Sequence, residues 1–273
     1  MFRNEYLQTA QENSRETAFA AYPVDTDASS FTGYVDVRVR ADMYRFLTTV
    51  FLEPPTPDLV ASICDALILD DLASVFGEAA ISALRRYAEF PDMDVAELRQ
   101  EYMDIFSVPT GRYVMPFEDV YLGMKEDGGQ ERGPLLGEQA IAVQQIYRIT
   151  GAEMHKTRNE LPNHVGIELA FMSFLCEREA ALNAEVDDQP RPSGAQSDLA
   201  ALAVYRQLQQ QFLKRHLLNW FPKLSRAIQA NSRTLFYQGL GQLTEVFIAW
   251  DSERLDSLPL PETTTDPVEG LTV

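Results

Sequence analysis

Apolar side chains recur every three to four positions along most of this chain, and no stretch of useful length alternates apolar with polar residues. That period predicts helices and argues against a sheet. Val39, Met43, Phe46, Leu47, Val50 and Phe51 form the first stripe, which Pro54-Pro55 ends. Thr56-Pro57 has the chemistry of an N-cap followed by proline in the first turn, and opens a helix through Leu59, Ile63 and Leu67. A further helix carries Ile81, Leu84 and Tyr87 up to Pro91. Asp94 and Glu97 have capping-box spacing and start a helix with Leu98, Tyr102, Ile105 and Phe106 on one face. Beyond a loop, Pro134–Thr150 places Leu136, Ala140, Val143 and Tyr147 at helical spacing, with Gly151 as its C′ residue. His164–Leu182 is apolar nearly all round, which predicts the most buried helix. The spacing then predicts helices over Asp198–Asn219, Pro222–Asn231 and Ser232–Trp250.

Three stretches lack this period. Residues 1–33 are polar and read as a flexible N-terminal extension. Asn183–Ser197 holds two prolines and a glycine between helical flanks and reads as a soft linker, a candidate hinge for helix exchange between protomers. Residues 251–273 read as an acidic disordered tail. Residues 34–250 are therefore expected to form one all-α domain, as a monomer or a domain-swapped dimer.

The 41 acids against 23 bases give a formal charge of −18, which repels nucleic acid and anionic lipid and attracts basic partners. Cys64 and Cys176 stand far apart in apolar helical surroundings, so neither a disulfide framework nor a metal pair is expected, and a reducing compartment fits. No run approaches the roughly 20 apolar residues of a membrane span, and the N-terminus lacks the uninterrupted apolar core of a secretory signal. A cytoplasmic protein without membrane insertion is expected.

Signatures of phosphate cradles, zinc hydrolases, nucleophile elbows and thiol redox pairs are missing, and no catalytic residue, cofactor or metal is expected. Gly128-Gly129 lies in a charged loop, which reads as solvated; weak guanine-nucleotide binding or nucleotide hydrolysis involving Asp127 or Glu131 rests on it alone. Of three histidines, His155 and His216 have basic helical surroundings that suggest surface or helix C-terminal positions. His164 follows Pro162-Asn163 at a helix start. Either Asn163 caps that helix and His164 packs in its first turn, or His164 is a polar contact at the mouth of a groove. In the second case Glu168, one turn on, orients the imidazole or meets a cationic ligand.

The loop Phe106–Tyr121 gathers Tyr113, Met115, Pro116, Phe117 and Tyr121, as either an ordered loop on the core or an adaptable peptide groove. Before it, Glu89, Asp92, Asp94, Glu97, Glu101 and Asp104 face only Arg99. They make a solvated helix face or an electrostatic collar. An apolar groove with an acidic collar suits a ligand with a basic head and an apolar body, such as a targeting signal.

Glu101–Tyr121 resembles the helix-plus-loop motif of the TorD/DmsD/NarJ-type chaperones, in which P…P-aromatic-E-S-V-Y comes after an aromatic and a hydrophobic pair. Glu160–Met172 resembles that family's Pro-Asp-His motif and the Glu-Leu-x-Phe-Met helix after it, and Phe212–Ile228 resembles its H-L-x-x-W-x-P stretch. The family's usual Asp is Asn163 here, and its Ser is Asp119. The resemblance spans roughly Val35–Trp250 in the same order. It implies a TorD-like helical chaperone for molybdenum-cofactor oxidoreductases that binds the precursor's twin-arginine signal peptide or the apoenzyme until cofactor loading is complete. A NarJ-like variant would dock on a signal-less cytoplasmic subunit. The implied peptide-binding positions are Tyr102, Ile105 and Phe106 on the helix, Pro116 and Phe117 in the loop, and Pro162, Asn163 and His164 at the turn. Tyr121 completes the loop's aromatic set, and Glu118 or Glu168 would meet the signal's arginines.

Overall fold

The helical period is realised throughout the computed structural model, which describes residues 29–109, 111–123, 133–154, 160–188 and 195–258. Helices α1 (Ser29–Leu52), α2 (Pro57–Ile63), α3 (Ala66–Phe76) and α4 (Glu78–Glu89) lead to α5 (Val95–Tyr102), which widens into a π turn at Met103–Ser107. Short α6 (Glu118–Leu122) precedes α7 (Glu138–Ile149), the long α8 (Val165–Asp188) and α9 (Ala195–Phe212). A second π turn, Leu213–Leu217, joins α9 to α10 (Leu218–Asn231), and α11 (Leu235–Ser257) completes the bundle. No strand forms among the described residues; the only pairing of that kind among them is a single antiparallel bridge.

Local chemistry places the starts of α2 and α5 where the sequence predicts them. Thr56 Oγ1 accepts from the Leu59 amide at 3.1 Å. Asp94 and Glu97 exchange reciprocal side chain-to-backbone hydrogen bonds of 2.9 Å, a complete capping box. Packing does the rest. Every residue from Val165 to Cys176 is buried, so α8 is the central helix, with α1 and α9 laid along it. Gly166 is needed at the α1 crossing, since a Cβ there would stand 2.4 Å from Leu52 Cγ. α11 packs on α4 and α10 and closes the other side.

Several boundaries differ from the sequence expectation: the helix expected to run from Pro57 through Leu67 is two, α2 and α3, the one expected from Pro134 starts at Glu138, and the one expected from Pro222 starts at Leu218. α1 begins at Ser29, inside the stretch 1–33 expected to be flexible. α8 continues to Asp188 and α9 starts at Ala195, so the linker expected over 183–197 shortens from both ends. α11 runs past Trp250 to Ser257, which moves the expected acidic tail from 251 to beyond that helix. Residues 1–28 and 259–273 lie outside the described residues.

The last correction has a clear cause. Asp251 is fully buried and accepts hydrogen bonds from Arg40 Nη2 at 3.0 Å, from Arg40 Nε, and from the Tyr44 hydroxyl. Arg40 also donates to Gln209 at 2.6 Å, and Gln209 donates to Glu179 at 2.8 Å. Arg206 closes the set with a 2.6 Å bond to Glu179. This network ties α1, α8, α9 and α11 together. Its members are compensated, and removing one strands the others. Arg40→Ala or Asp251→Ala should each lower unfolding free energy by about 3–5 kcal/mol in urea titrations. The double variant Arg40→Met/Asp251→Leu should lose less than either alanine variant, because it strands neither member of the ion pair.

Candidate functional site

The two islands of unusual sequence meet edge to edge. Phe117 and His164 form the isolated antiparallel bridge. The Glu118 amide donates to Asn163 O at 3.0 Å and the Val165 amide donates to Pro116 O at 2.9 Å. The Phe117 and His164 rings sit 5.3 Å apart, nearly perpendicular. Behind them Phe106, lifted by the π turn, meets Phe51 and Tyr237 edge-on and Tyr102 at a tilt, and Tyr102 donates to Phe51 O at 3.2 Å. A π turn adds a residue to a helix and re-aims the side chains beyond it. Here the turn is closed by the Val108 amide on Met103 O, and the Val114 amide on Ile105 O brings the loop back against it.

His164 caps α8 itself: its Nδ1 accepts from the Gly166 amide at 3.0 Å, and its Nε2 faces Glu160 at 3.9 Å. Neither role expected of its neighbours holds. Asn163 does not cap α8; its side-chain nitrogen donates to Asp119 Oδ2 at 2.8 Å and to Leu135 O at 3.0 Å. Two acceptors around that nitrogen fix the amide's orientation. Asp119 in turn accepts from the Gln139 and Ala140 amides at 3.0 and 2.8 Å, satisfying the first turn of α7 from outside the helix. Gly137 has to be glycine there, because a Cβ would stand 2.3 Å from Asp119 Oδ1. The two departures from the family motif are therefore partners. The carboxylate missing at 163 stands at 119, in hydrogen-bonding contact with the amide that replaces it.

Glu168 does not orient His164 either. Its Oε2 accepts from Trp220 Nε1 at 3.0 Å, while its Oε1 is buried without a hydrogen-bond partner. Glu118, also fully buried, accepts from His216 Nδ1 at 3.0 and 3.1 Å, which requires the proton on that nitrogen. Burial, reinforced by the Glu118 charge, pushes the Glu168 carboxyl well above the usual carboxylate range. The two buried acids are thus met differently, Glu118 by the His216 ring and Glu168 by the Trp220 indole. Trp220 stacks on Tyr121, with ring centres 5.6 Å apart. His216, expected at the surface, is buried; it and Trp220 are the functional-site residues that sequence reasoning left out. Their spacing of four on one helix, inside the third motif stretch, was the available signal.

The structure brings together all eleven positions singled out from sequence, and buries all of them: Tyr102, Ile105, Phe106, Pro116, Phe117 and Glu118 on one side of the bridge, Tyr121 beyond, and Pro162, Asn163, His164 and Glu168 on the other. They form a closed junction, which matches the ordered loop on the core and not the open groove, the two alternatives the sequence offered. The acidic collar is largely consumed as well. Glu101 accepts from Arg112, Ser232 and the Arg233 amide, Asp104 pairs with Arg112, and Asp94 and Glu97 cap α5. Only Glu89 and Asp92 of the six remain exposed with no such role. Gly128-Gly129, Asp127, Glu131 and His155 lie outside the described residues. Among the described residues no group of His, Cys, Asp and Glu is arranged to hold a metal ion.

The junction makes two expected outcomes measurable. A carboxyl whose folded value is raised binds its proton more tightly in the native state. Its penalty is absent below the unfolded Glu value and grows as pH rises toward the folded one. Glu168→Gln, which keeps an acceptor for Trp220 and has no proton to lose, should flatten the decline in urea-unfolding stability as pH rises above the ordinary Glu value of about 4.3. Asp119→Ser should destabilise by about 1 kcal/mol or more through the lost cap of α7, and Asn163→Asp should destabilise by replacing the donor to Asp119 with a second carboxylate. Combined, they should recover much of that loss in a double-mutant cycle, whereas strict additivity would show the two sites to be independent.

Residues 70–226 match the family model described as the nitrate reductase delta subunit. The chain is 23% identical over 227 residues to the chaperone protein TorD of Vibrio cholerae, covering 80% of this chain and 93% of that protein. It is 24% identical over 224 residues to the perchlorate reductase assembly chaperone protein of Dechloromonas aromatica, with 81% and 80% covered. With the selenate reductase assembly chaperone protein of Thauera selenatis it shares 27% identity over 183 residues, with 64% and 82% covered. More than half of the chain lies within the family match, and the bridge, the capped turn and the His216–Trp220 helix all fall inside it, so the protein belongs to the nitrate reductase delta subunit family, the TorD/NarJ group.

Proposed function

We propose that this protein is a cytoplasmic chaperone for the maturation of a molybdenum-cofactor oxidoreductase. It binds the client's twin-arginine signal peptide, its apoenzyme or both, and releases them after cofactor insertion and assembly. One observation carries this reading: three separate motif stretches converge on one junction in a chain that matches named assembly chaperones over about four-fifths of its length. The activity needs no bond chemistry. Binding three or four large apolar side chains of a client, at about 1.5–3 kcal/mol each less ordering costs, yields roughly micromolar affinity, which suits a reversible guard.

Direct contact between a client and the junction requires the 108–116 loop to lift, because Glu118 and Glu168 are inaccessible while the Phe117–His164 bridge is closed. Client arginines would then replace the proton and the imidazole that now balance these acids. A second reading, a NarJ-like factor docking on an oxidoreductase subunit without a signal, is favoured by the match to the nitrate reductase delta subunit model.

The test is a tagged pulldown from the source organism, with the N-termini of co-purifying proteins identified by mass spectrometry. An oxidoreductase precursor with its signal uncleaved is the expected result. A signal-less oxidoreductase subunit would transfer the case to the second reading. Folded bait that retains no oxidoreductase from cells expressing one would sink both.

A further inference from the structure

A second feature lies apart from the junction. α1, α2, α3, α4 and α11 enclose an apolar cavity of about 230 Å³, and none of the eleven junction positions lines it. Its floor is made by Met43, Ile63, Leu84 and Leu243, each no more than 5% exposed. Half-buried Phe46, Leu59, Ile68 and Leu72 form the walls, and half-buried Ser62 and exposed Asp58 stand at the rim. Two short helices, α2 and α3, separated by the Asp65 cap, contribute Leu59, Ser62, Ile68 and Leu72 to its lining.

Size and charge specify the occupant. An apolar cavity of about 150 Å³ takes up one benzene ring, and small-molecule pockets run from about 300 Å³ upward. A space of 230 Å³ therefore fits one aromatic or two aliphatic side chains of a peptide. From Phe46 to Leu84 the chain has Glu53, Asp58, Asp65, Asp70, Asp71 and Glu78 but no lysine or arginine. Asp65 is used as a cap, and Asp70 and Glu78 share Arg85, which enters from α4 just past that stretch. Asp58 remains on the rim, in a molecule of net charge −18. An apolar socket with an anionic lip is complementary to a cationic, apolar peptide and repels an acidic one.

We infer that this cavity seats apolar side chains of a basic peptide segment, a second contact besides the junction; the inference rests on the client-leader reading above.

The test is fluorescence anisotropy of the full-length protein with a labelled synthetic peptide carrying two arginines followed by a leucine- and phenylalanine-rich stretch. Ser62→Phe fills the cavity from its rim and should weaken binding about tenfold or more. Asp58→Lys, an exposed change that leaves the cavity intact, should also weaken binding and reduce its dependence on salt. Replacing both arginines of the peptide with glutamine should remove most of the effect of Asp58→Lys. Unfolding midpoints report whether each variant is folded. Binding that neither substitution alters would overturn the cavity site and leave the chaperone reading standing. No binding of the peptide by the wild-type chain would count against both. Wild-type self-association abolished by Ser62→Phe would assign the cavity to a second copy of the chain and overturn the peptide assignment.

Discussion

An ionisable group survives inside a helical core only when it is paired or neutral, and that constraint organises this bundle at two places. At the first, Arg40 and Asp251 neutralise each other, with Gln209 and Glu179 completing the set. At the second, Glu118 is met by His216, while burial favours the neutral form of Glu168, which accepts from Trp220. Helix α8 supplies an acid to both. Glu168 and Glu179 are about three helical turns apart and so lie on nearly the same face. One face of the central helix thus carries two polar anchors through an otherwise apolar interior. α1, α9 and α11 fasten to one anchor, and the α6 turn and α10 to the other.

The features legible in the sequence are local. Capping chemistry at Thr56 and Asp94, the proline stop after Phe51 and the unbroken apolar character of α8 each involve neighbours within a turn or two. The misread features depend on distant partners. Asp251 lies in an acid-rich stretch and looks like the start of a tail until Arg40, 211 positions away, is seen to need it. His216 sits among Lys214 and Arg215 and looks exposed, yet its partner Glu118 is 98 positions away. The π turns have no composition signal of their own; they arise where packing re-aims Phe106 and His216.

Asp119 and Asn163 show a different limit. Taken singly, each is a departure from a family motif, one gaining a charge and the other losing one. Their 2.8 Å contact makes them partners: the carboxylate at 119 accepts from the amide at 163 and also satisfies two amides of α7. The local charge is kept and the number of satisfied donors is high. A single sequence contains both halves of this exchange but no sign that they touch.

The burial of the junction changes how motif residues of this kind are to be understood. A side chain can be indispensable to binding without meeting the ligand, if it fixes the segments that frame the contact surface. Phe117 and His164 are placed for this: their rings meet inside the molecule, flanked by two backbone hydrogen bonds between their neighbours, and His164 also caps α8. Truncating either should therefore lower stability and affinity together, because the energy lost belongs to the fold. A residue that touches the client without supporting the bundle behaves otherwise, losing affinity at constant stability. Ser62 and Asp58, at the rim of the α1–α3 cavity and outside the buried core, are placed for the second behaviour. The bundle thus keeps a buried polar junction apart from an apolar cavity with accessible rim residues, so the two behaviours can be told apart by substitution.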